Sequence, residues 1–271
     1  MINAIVTGAS GRMGKRIINL IHDKEGISLI GAVERKESPA IGRDAGEIAG
    51  LGNTGISIGE NIEDIIKRAD VVIDFTTPSA AMSALKIASA NKKAMVIGTT
   101  GFTQDELNEI DIFTKDIPLV FSPNMSIGVN IVFKTIGEIA KILGGEYDME
   151  IIEAHHRNKK DSPSGTAMKM GEILAQSTNR DLEKVGKYSR HGITGERKRD
   201  EIGIQSIRAG DIVGEHTVIY CGNGERIEIT HKAHSRDNFA LGAIRAAEWI
   251  VSKRPGLYDM LDVLGLQSKP R

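Results

Sequence analysis

Ile2-Asn3-Ala4-Ile5-Val6-Thr7-Gly8-Ala9-Ser10-Gly11-Arg12-Met13-Gly14 opens with a short apolar, β-branched run that passes directly into a glycine-spaced turn. A run of that length and composition reads as a buried strand. Behind the turn, Arg12 to Lys24 sets Ile17, Ile18 and Ile21 on one face of a helix. Strand, glycine turn and helix begin a βαβ unit, and the alternation continues through the first half of the chain. Strands are predicted over Ile27 to Val33, Asp70 to Phe75, Ala94 to Ile97 and Leu119 to Phe121. Helices are predicted over Ser79 to Asn91 and Thr103 to Lys115, and the Gly-rich stretch Asp44 to Gly59 reads as loop. The fold class expected is α/β, a Rossmann-like doubly wound parallel sheet.

Beyond Gly128 the pattern changes. A helix over Val129 to Leu143 leads to a strand over Tyr147 to Ala154, a polar loop, and a helix from about Ser164. Strands over Ile202 to Arg208, Ile212 to Tyr220 and Arg226 to His231 then follow so closely that a meander is expected. This predicts a second, α+β domain containing an open mixed sheet. The closing helix, Asn238 to Lys253, carries Leu241, Ile244, Ala247 and Ile250 on one stripe and is expected to pack back on the first sheet.

Composition narrows the function. The 271 residues, 40% hydrophobic and 26% charged, are enough to bury a full core and sit near the length at which a core splits in two. A formal net charge of -1 provides no general attraction to nucleic acid or to an anionic membrane, and neither is expected as a partner. Cys221 is the one cysteine and lies in an apolar run, so it reads as core and no internal disulfide can form. The strand-like start lacks the features of a signal peptide and no run is apolar enough to span a membrane, so a cytoplasmic location is expected.

The turn Gly8 to Gly14 has the spacing G-x-x-G-x-x-G, which departs from the standard dinucleotide fingerprint in its first interval. A tight structural turn would use the same glycines, but position at a strand-helix junction suits a pyrophosphate approached by the small residues of Gly8 to Gly14. Glu34, about 20 residues beyond and at the end of the second strand, is placed to accept from ribose hydroxyls. Arg35 beside it can pair with a 2'-phosphate, so NADH and NADPH are both expected as cofactors. Two further polar loops end predicted strands: Phe75-Thr76-Thr77-Pro78 and Gly98-Thr99-Thr100-Gly101. Thr76, Gly98, Thr99 and Thr100 are therefore candidates for the ribose and nicotinamide end.

The densest polar cluster is Glu153-Ala154-His155-His156-Arg157-Asn158-Lys159-Lys160-Asp161-Ser162-Pro163-Ser164-Gly165-Thr166-Ala167. Ser164-Gly165-Thr166 opens a helix and offers hydroxyls and backbone N-H groups to a carboxylate. With the histidines and lysines of the same loop nearby for a second carboxylate, the site fits a small dicarboxylate. Hydride addition to an iminium or enamine carbon needs a proton delivered elsewhere on the substrate, and a histidine of the pair His155-His156, or Lys159, can supply it. On a strand His155 and His156 point to opposite faces, so one of them lines the reaction centre. No metal is expected: the histidines lack H-E-x-x-H spacing, paired cysteines or an acidic ligand set.

Together these motifs resemble the dihydrodipicolinate reductase family over nearly the whole chain. Asn124-Met125-Ser126-Ile127-Gly128-Val129-Asn130, Arg208-Ala209-Gly210-Asp211-Ile212-Val213-Gly214-Glu215-His216 and Ile229-Thr230-His231-Lys232-Ala233 also look like its motifs. The resemblance implies NAD(P)H-dependent reduction of 4-hydroxy-tetrahydrodipicolinate to tetrahydrodipicolinate with loss of water, a step towards diaminopimelate and lysine. It implies that His155 is the proton donor with Lys159 as its catalytic partner. His156, Lys159, Ser164, Gly165, Thr166 and Arg236 would hold the cyclic dicarboxylate substrate. Gly11, Arg12, Met13, Glu34, Gly98, Thr99, Thr100 and the turn with Ser122, Asn124 and Met125 would hold NAD(P). Thr77 stands where some relatives have Arg, and Met125 where an aromatic is common. A homotetramer is also implied, with residues 1–126 and 236–271 as dinucleotide-binding domain and 127–235 as substrate-binding and oligomerisation domain. Two other functions use the same features: a different small-substrate dehydrogenase, such as one acting on aspartate, and a nonenzymatic NAD(H) sensor.

Overall fold

The structure, a computed structural model, describes residues 1–267. In chain order the first elements are β1 (Ile2–Thr7), α1 (Arg12–His22), β2 (Ile27–Val33), α2 (Ala45–Ala49), β3 (Ile58–Gly59), β4 (Val71–Asp74), α3 (Pro78–Ala90), β5 (Ala94–Ile97), α4 (Gln104–Phe113) and β6 (Pro118–Phe121). Next come α5 (Ile127–Leu143), β7 (Asp148–His155), α6 (Gly165–Ser177), α7 (Leu182–Val185), β8 (Gly186–Lys187), β9 (Ile202–Arg208), β10 (Gly214–Cys221) and β11 (Arg226–Ala233). The described chain closes with α8 (Asp237–Ile250), β12 (Gly256–Tyr258) and α9 (Met260–Val263). The contacts divide it into two compact units, Met1–Ile127 with the segment from Arg236 onward, and Gly128–Ser235. Residues 268–271, expected in the first domain, lie outside the described residues.

In the first unit seven parallel strands run in the order β12-β6-β5-β4-β1-β2-β3. Successive strand residues alternate between two cores. Ala4, Val6, Ile73, Val96 and Val120 face α1 and α8, whereas Ile5, Val72, Met95, Ile97 and Leu119 face α3 and α4. The expected doubly wound α/β sheet is therefore present, and each fully buried Ile or Val on it contributes about 1.5–3 kcal/mol relative to exposure. The chain order reverses between β1 and β4, and the loops leaving these two strands meet there. A pair of ionic hydrogen bonds from Arg16 Nε and Nη2 to Asp237 ties α1 to α8 at 2.6 and 2.7 Å.

Two expectations for this unit are corrected. Asp44 to Gly59 is not all loop, because Asp44 caps α2 by accepting from Gly46 and Glu47 N-H groups, and β3 then pairs with β2. The α8 helix does pack on the first sheet, but Leu241 is exposed; Ala240, Ala243, Ile244, Ala247 and Ile250 form the buried stripe. Small alanines let the helix lie close, which a search for large apolar residues overlooks.

The second unit carries a mixed sheet in the order β11-β10-β7-β9-β8. Here the expected meander fails. β10 and β11 form an antiparallel hairpin pair, but β7 lies between β9 and β10, parallel to β9 and antiparallel to β10. Proximity in sequence gave no information on which edge of β7 each strand would take. The inward face, Met149, Ile151, Ile202, Ile204, Val218 and Tyr220, packs on Val132 and Ile136 of α5 and Met170 and Leu174 of α6. The Tyr220 hydroxyl donates to Ile136 O at 2.7 Å, which satisfies it inside the core. Cys221 alternates to the other face and is half-buried rather than core.

Candidate active site

The glycine turn is built by steric exclusion. Gly8 leaves β1 with φ +64°, and a Cβ there would stand 2.8 Å from Thr76 Cγ2 in the loop after β4. A Cβ on Gly14 would strike the Gly8 carbonyl oxygen, so α1 can begin directly over the turn. Gly11 caps α1 with no side-chain acceptor on its first turn. In front lies a cleft of about 920 Å³ lined by Gly8, Ser10, Gly11, Glu34, Arg35, Thr76 and Thr77 among others. Arg43, which the sequence reading did not single out, lines the same cleft.

Hydrogen bonds assign some of the predicted cofactor residues an internal task. Glu34 Oε2 accepts from Ser10 N at 3.0 Å and Ser10 Oγ at 2.6 Å, which ties the end of β2 to the glycine turn. Asp74, fully buried at the end of β4, accepts from Thr7 Oγ1 at 2.6 Å, Thr99 Oγ1 at 2.6 Å and Thr76 Oγ1 at 2.9 Å. Thr99 Oγ1 in turn accepts from Thr76 N at 2.7 Å. The Thr7, Thr76 and Thr99 hydroxyls thus converge on Asp74 and hold the ends of β1, β4 and β5 together, whereas Thr100 is exposed. Asp74 was missed by the sequence reading; its signal is a lone carboxylate closing the apolar run Val71-Val72-Ile73.

The turn after β6 also carries internal hydrogen bonds: Ser122 Oγ donates to Asn124 O at 3.0 Å, and Asn124 Oδ1 accepts from Ser126 N at 2.9 Å. Met125 is buried in the first core, and a Cβ on Gly242 would strike its carbonyl oxygen. Met13 is half-buried against the same core, and Gly98 packs on the Phe75 ring. Arg236 precedes α8 half-buried, and burial together with nearby Arg12 pushes its guanidinium below the usual value.

In the second unit the inward face of the sheet turns from apolar to polar at one end. The row Met149, Ile151, Glu153, His155 on β7 continues across the register to His216 on β10 and Ser206 and Arg208 on β9. Glu153 is fully buried. Its Oε2 takes Arg208 Nη1 at 2.8 Å and its Oε1 takes Arg208 Nη2 at 2.7 Å, while Oε1 also accepts from Ser164 N at 3.1 Å. His155 Nδ1 lies 2.6 Å from Glu153 Oε2. Burial would raise the Glu153 carboxyl, but these hydrogen bonds, led by Arg208, hold it at about 2.

Burial pushes His155 below the usual imidazole value, and Lys159 and Arg208 push the same way against the Glu153 carboxylate. The His155 and His216 rings meet edge to face with centroids 5.1 Å apart. Burial first, and then His155, depress His216 to about 3. His216 Nε2 lies 3.1 Å from Ser164 Oγ, which also caps α6 by accepting from Ala167 N at 3.2 Å. Lys159 is half-buried and pairs with Asp161 at 3.0 Å. His156 is half-buried just past the strand, and Gly165 and Thr166 begin α6.

One end of this sheet therefore gathers His155, Lys159 and Ser164 as expected, and adds Glu153, Arg208 and His216. An acidic residue on the buried row of a strand was the available signal for Glu153. Arg208 and His216 stand at the two ends of one motif that carries the resemblance, but nothing in the sequence put them beside His155, since that proximity depends on strand order. Among the described residues no group of three or more His, Cys, Asp or Glu is arranged to hold a metal. Nor is any described helix long and apolar enough to cross a membrane.

A parallel sheet that reverses chain order beside a glycine turn places the first unit in the class of dinucleotide-binding oxidoreductases. The family model for the dihydrodipicolinate reductase N-terminus matches residues 2–125, and that for its C-terminus matches residues 128–264. A 4-hydroxy-tetrahydrodipicolinate reductase of Geotalea uraniireducens (strain Rf4) is 55% identical over 98% of this chain and 100% of its own. One from Syntrophus aciditrophicus (strain SB) is 53% identical over 99% of this chain and 100% of its own. A solved dipicolinate-bound dihydrodipicolinate reductase from Paenisporosarcina sp. TG-14 has the same fold, with TM-score 0.75 at 24% identity, covering 97% of this chain and 98% of that one. The chain belongs to the dihydrodipicolinate reductase family.

Proposed function

We propose that the chain reduces 4-hydroxy-tetrahydrodipicolinate to tetrahydrodipicolinate with NADH or NADPH, releasing water, in diaminopimelate and lysine biosynthesis. The observation that carries this reading is the buried Glu153–His155 pair beside the N-terminus of α6, in a chain of this family. A dinucleotide fits the first unit: Gly8 leaves no room for a side chain, α1 has no side-chain cap, and the cleft of about 920 Å³ lies in the range of cofactor sites. Gly8, Gly11, Arg12 and Met13 are assigned to the pyrophosphate and Glu34 and Arg35 to the adenosine ribose. The loops with Thr76, Gly98, Thr99, Thr100, Ser122, Asn124 and Met125 are assigned to the nicotinamide end. When bound, the nicotinamide supplies a hydride.

His155 delivers one proton through Nε2 to the substrate, so that hydride and proton enter and water leaves. Lys159 lowers the proton affinity of His155 and pairs with a substrate carboxylate, as does His156. The opening turn of α6, with Ser164, Gly165 and Thr166, receives the other carboxylate at the positive end of the helix. Arg236 is assigned to the substrate, and the second sheet, whose outer face exposes Ile152 and Ile207, to a homotetramer. The proposed location is the cytoplasm.

Turnover is tested by following NADH or NADPH oxidation when freshly prepared 4-hydroxy-tetrahydrodipicolinate is added, with pyridine-2,6-dicarboxylate as competitor. Oxidation that the competitor suppresses is expected. No oxidation with either nucleotide would overturn the reading. Faster oxidation of aspartate by NAD would favour the alternative dehydrogenase, and tight nucleotide binding without turnover the sensor.

A further inference from the structure

We infer that Glu153 and Arg208 are positioning residues: together they fix His155 as the Nδ1-H tautomer and reserve its Nε2 as the atom that exchanges the proton. The inference rests on the reading that His155 is the proton donor. An ionised carboxylate only accepts hydrogen bonds, so at 2.6 Å from Glu153 Oε2 the His155 Nδ1 must carry the hydrogen. In the neutral ring Nε2 is then the bare acceptor, and in the cation Nε2 holds the proton to be given away. Space is kept on that side by Gly214, where a Cβ would come within 3.1 Å of Nε2.

Arg208 makes this choice durable. Its fork binds both Glu153 oxygens, and the same two nitrogens also donate to Ile207 O at 2.7 Å and Asp161 O at 2.8 Å. The carboxylate plane is therefore set from β9 and from the loop before α6, and Ser164 N holds it from the helix side. Rotation of Glu153, which would release Nδ1, breaks three hydrogen bonds at once. The groups that face His155 are Glu153 on its own strand, Lys159 from the loop, Arg208 from β9 and His216 from β10. Of these only Glu153 is anionic, so without it His155 is left among cations and a second imidazole. Both charge and tautomer thus converge on one residue that the reaction itself does not touch.

The test uses full-length protein with ¹⁵N-labelled histidine, whose two-bond ¹⁵N-¹H correlations distinguish the tautomers. In the unsubstituted protein the neutral His155 ring should show hydrogen on Nδ1. In Glu153→Gln the His155 titration midpoint should fall by about one pH unit or more. Its kcat should fall by about 100-fold with KM for the substrate nearly unchanged, and the alkaline fall of the rate should begin at lower pH. Glu153→Asp, which keeps the charge, should restore part of kcat. Hydrogen on Nε2 in the neutral unsubstituted protein overturns the inference, and that observation requires no variant to fold. An unmoved titration midpoint in a folded Glu153→Gln also overturns it. Should His155 prove to be the Nδ1-H tautomer while His155→Ala keeps full turnover, the proton-donor reading fails and the Glu153 coupling stands.

Discussion

His155 Nδ1 lies 2.6 Å from Glu153 Oε2, two residues earlier on the same inward row of β7, and both side chains are buried. A sheet face that is apolar at Ile151 and Val218 becomes ionic one step further along, and it does so where α6 begins. The ionic end is held by the Arg208 fork on Glu153, and its energetics can be measured apart from catalysis.

Removing Arg208 strands a buried carboxylate. Arg208→Ala should lower stability at neutral pH by about 3–5 kcal/mol, the cost of leaving one partner of a buried pair uncompensated. In the native chain Glu153 sits at about 2 against its usual 4.5, so its stabilisation is complete above pH 4.5 and is lost as pH falls towards 2. With Arg208 gone the carboxyl returns towards its usual range and that acid sensitivity shrinks. Urea unfolding at neutral and acid pH measures both effects. A loss under about 1 kcal/mol with an unchanged acid slope would reduce the pair to a surface contact.

His216 supplies a second pH window. Its pKa of about 3, against 6.5 for an exposed imidazole, means the folded chain keeps the ring neutral while the unfolded chain takes a proton. Stability from this group is therefore present above pH 6.5 and lost as pH falls from 6.5 towards 3. His216→Gln should make stability less steep across that interval, by up to about 1.4 kcal/mol per pH unit. Denaturant midpoints taken at steps from pH 7 to pH 4 check this, and parallel curves for the two proteins would contradict it.

At the other site the tight pair is Gly8 and Thr76. Gly8→Ala must hold φ +64° with a β-carbon and meet Thr76 Cγ2, so a loss of about 1–3 kcal/mol and weaker NADH binding are expected. Thr76→Ser removes that methyl yet keeps the hydroxyl donated to Asp74, so the double variant should recover part of the loss. Melting curves and NADH fluorescence titrations follow both quantities. Gly8→Ala with native stability and affinity would remove the steric account of the turn.

The sequence disclosed elements better than neighbours. β1, β2 and β5 have the predicted bounds because each is a short apolar run framed by turn residues or charges, and β9 has them although its second half is polar. The doubly wound sheet followed from their alternation with amphipathic helices. The place of β9 on the far side of β7 did not follow, since pairing is decided by packing between strands roughly fifty residues apart. For the same reason Arg208 and His216 stayed invisible as companions of His155, whereas Ser164, Lys159 and His155, close in sequence, were legible as one polar cluster. Asp44 and α2 were hidden because a five-residue helix among glycines has no period to detect. Thr76 and Thr99 were correctly placed at strand ends, but the hydrogen bonds that draw their hydroxyls to Asp74 depend on β4 and β5 lying side by side.

The most direct measurement compares His155→Gln with the unsubstituted protein, using NADPH and fresh 4-hydroxy-tetrahydrodipicolinate, with nucleotide affinity determined in parallel. Loss of the proton donor should lower kcat by about 100-fold or more while NADPH binds as before. Undiminished kcat in a folded His155→Gln would contradict the assignment of proton delivery to the strand end built by β7.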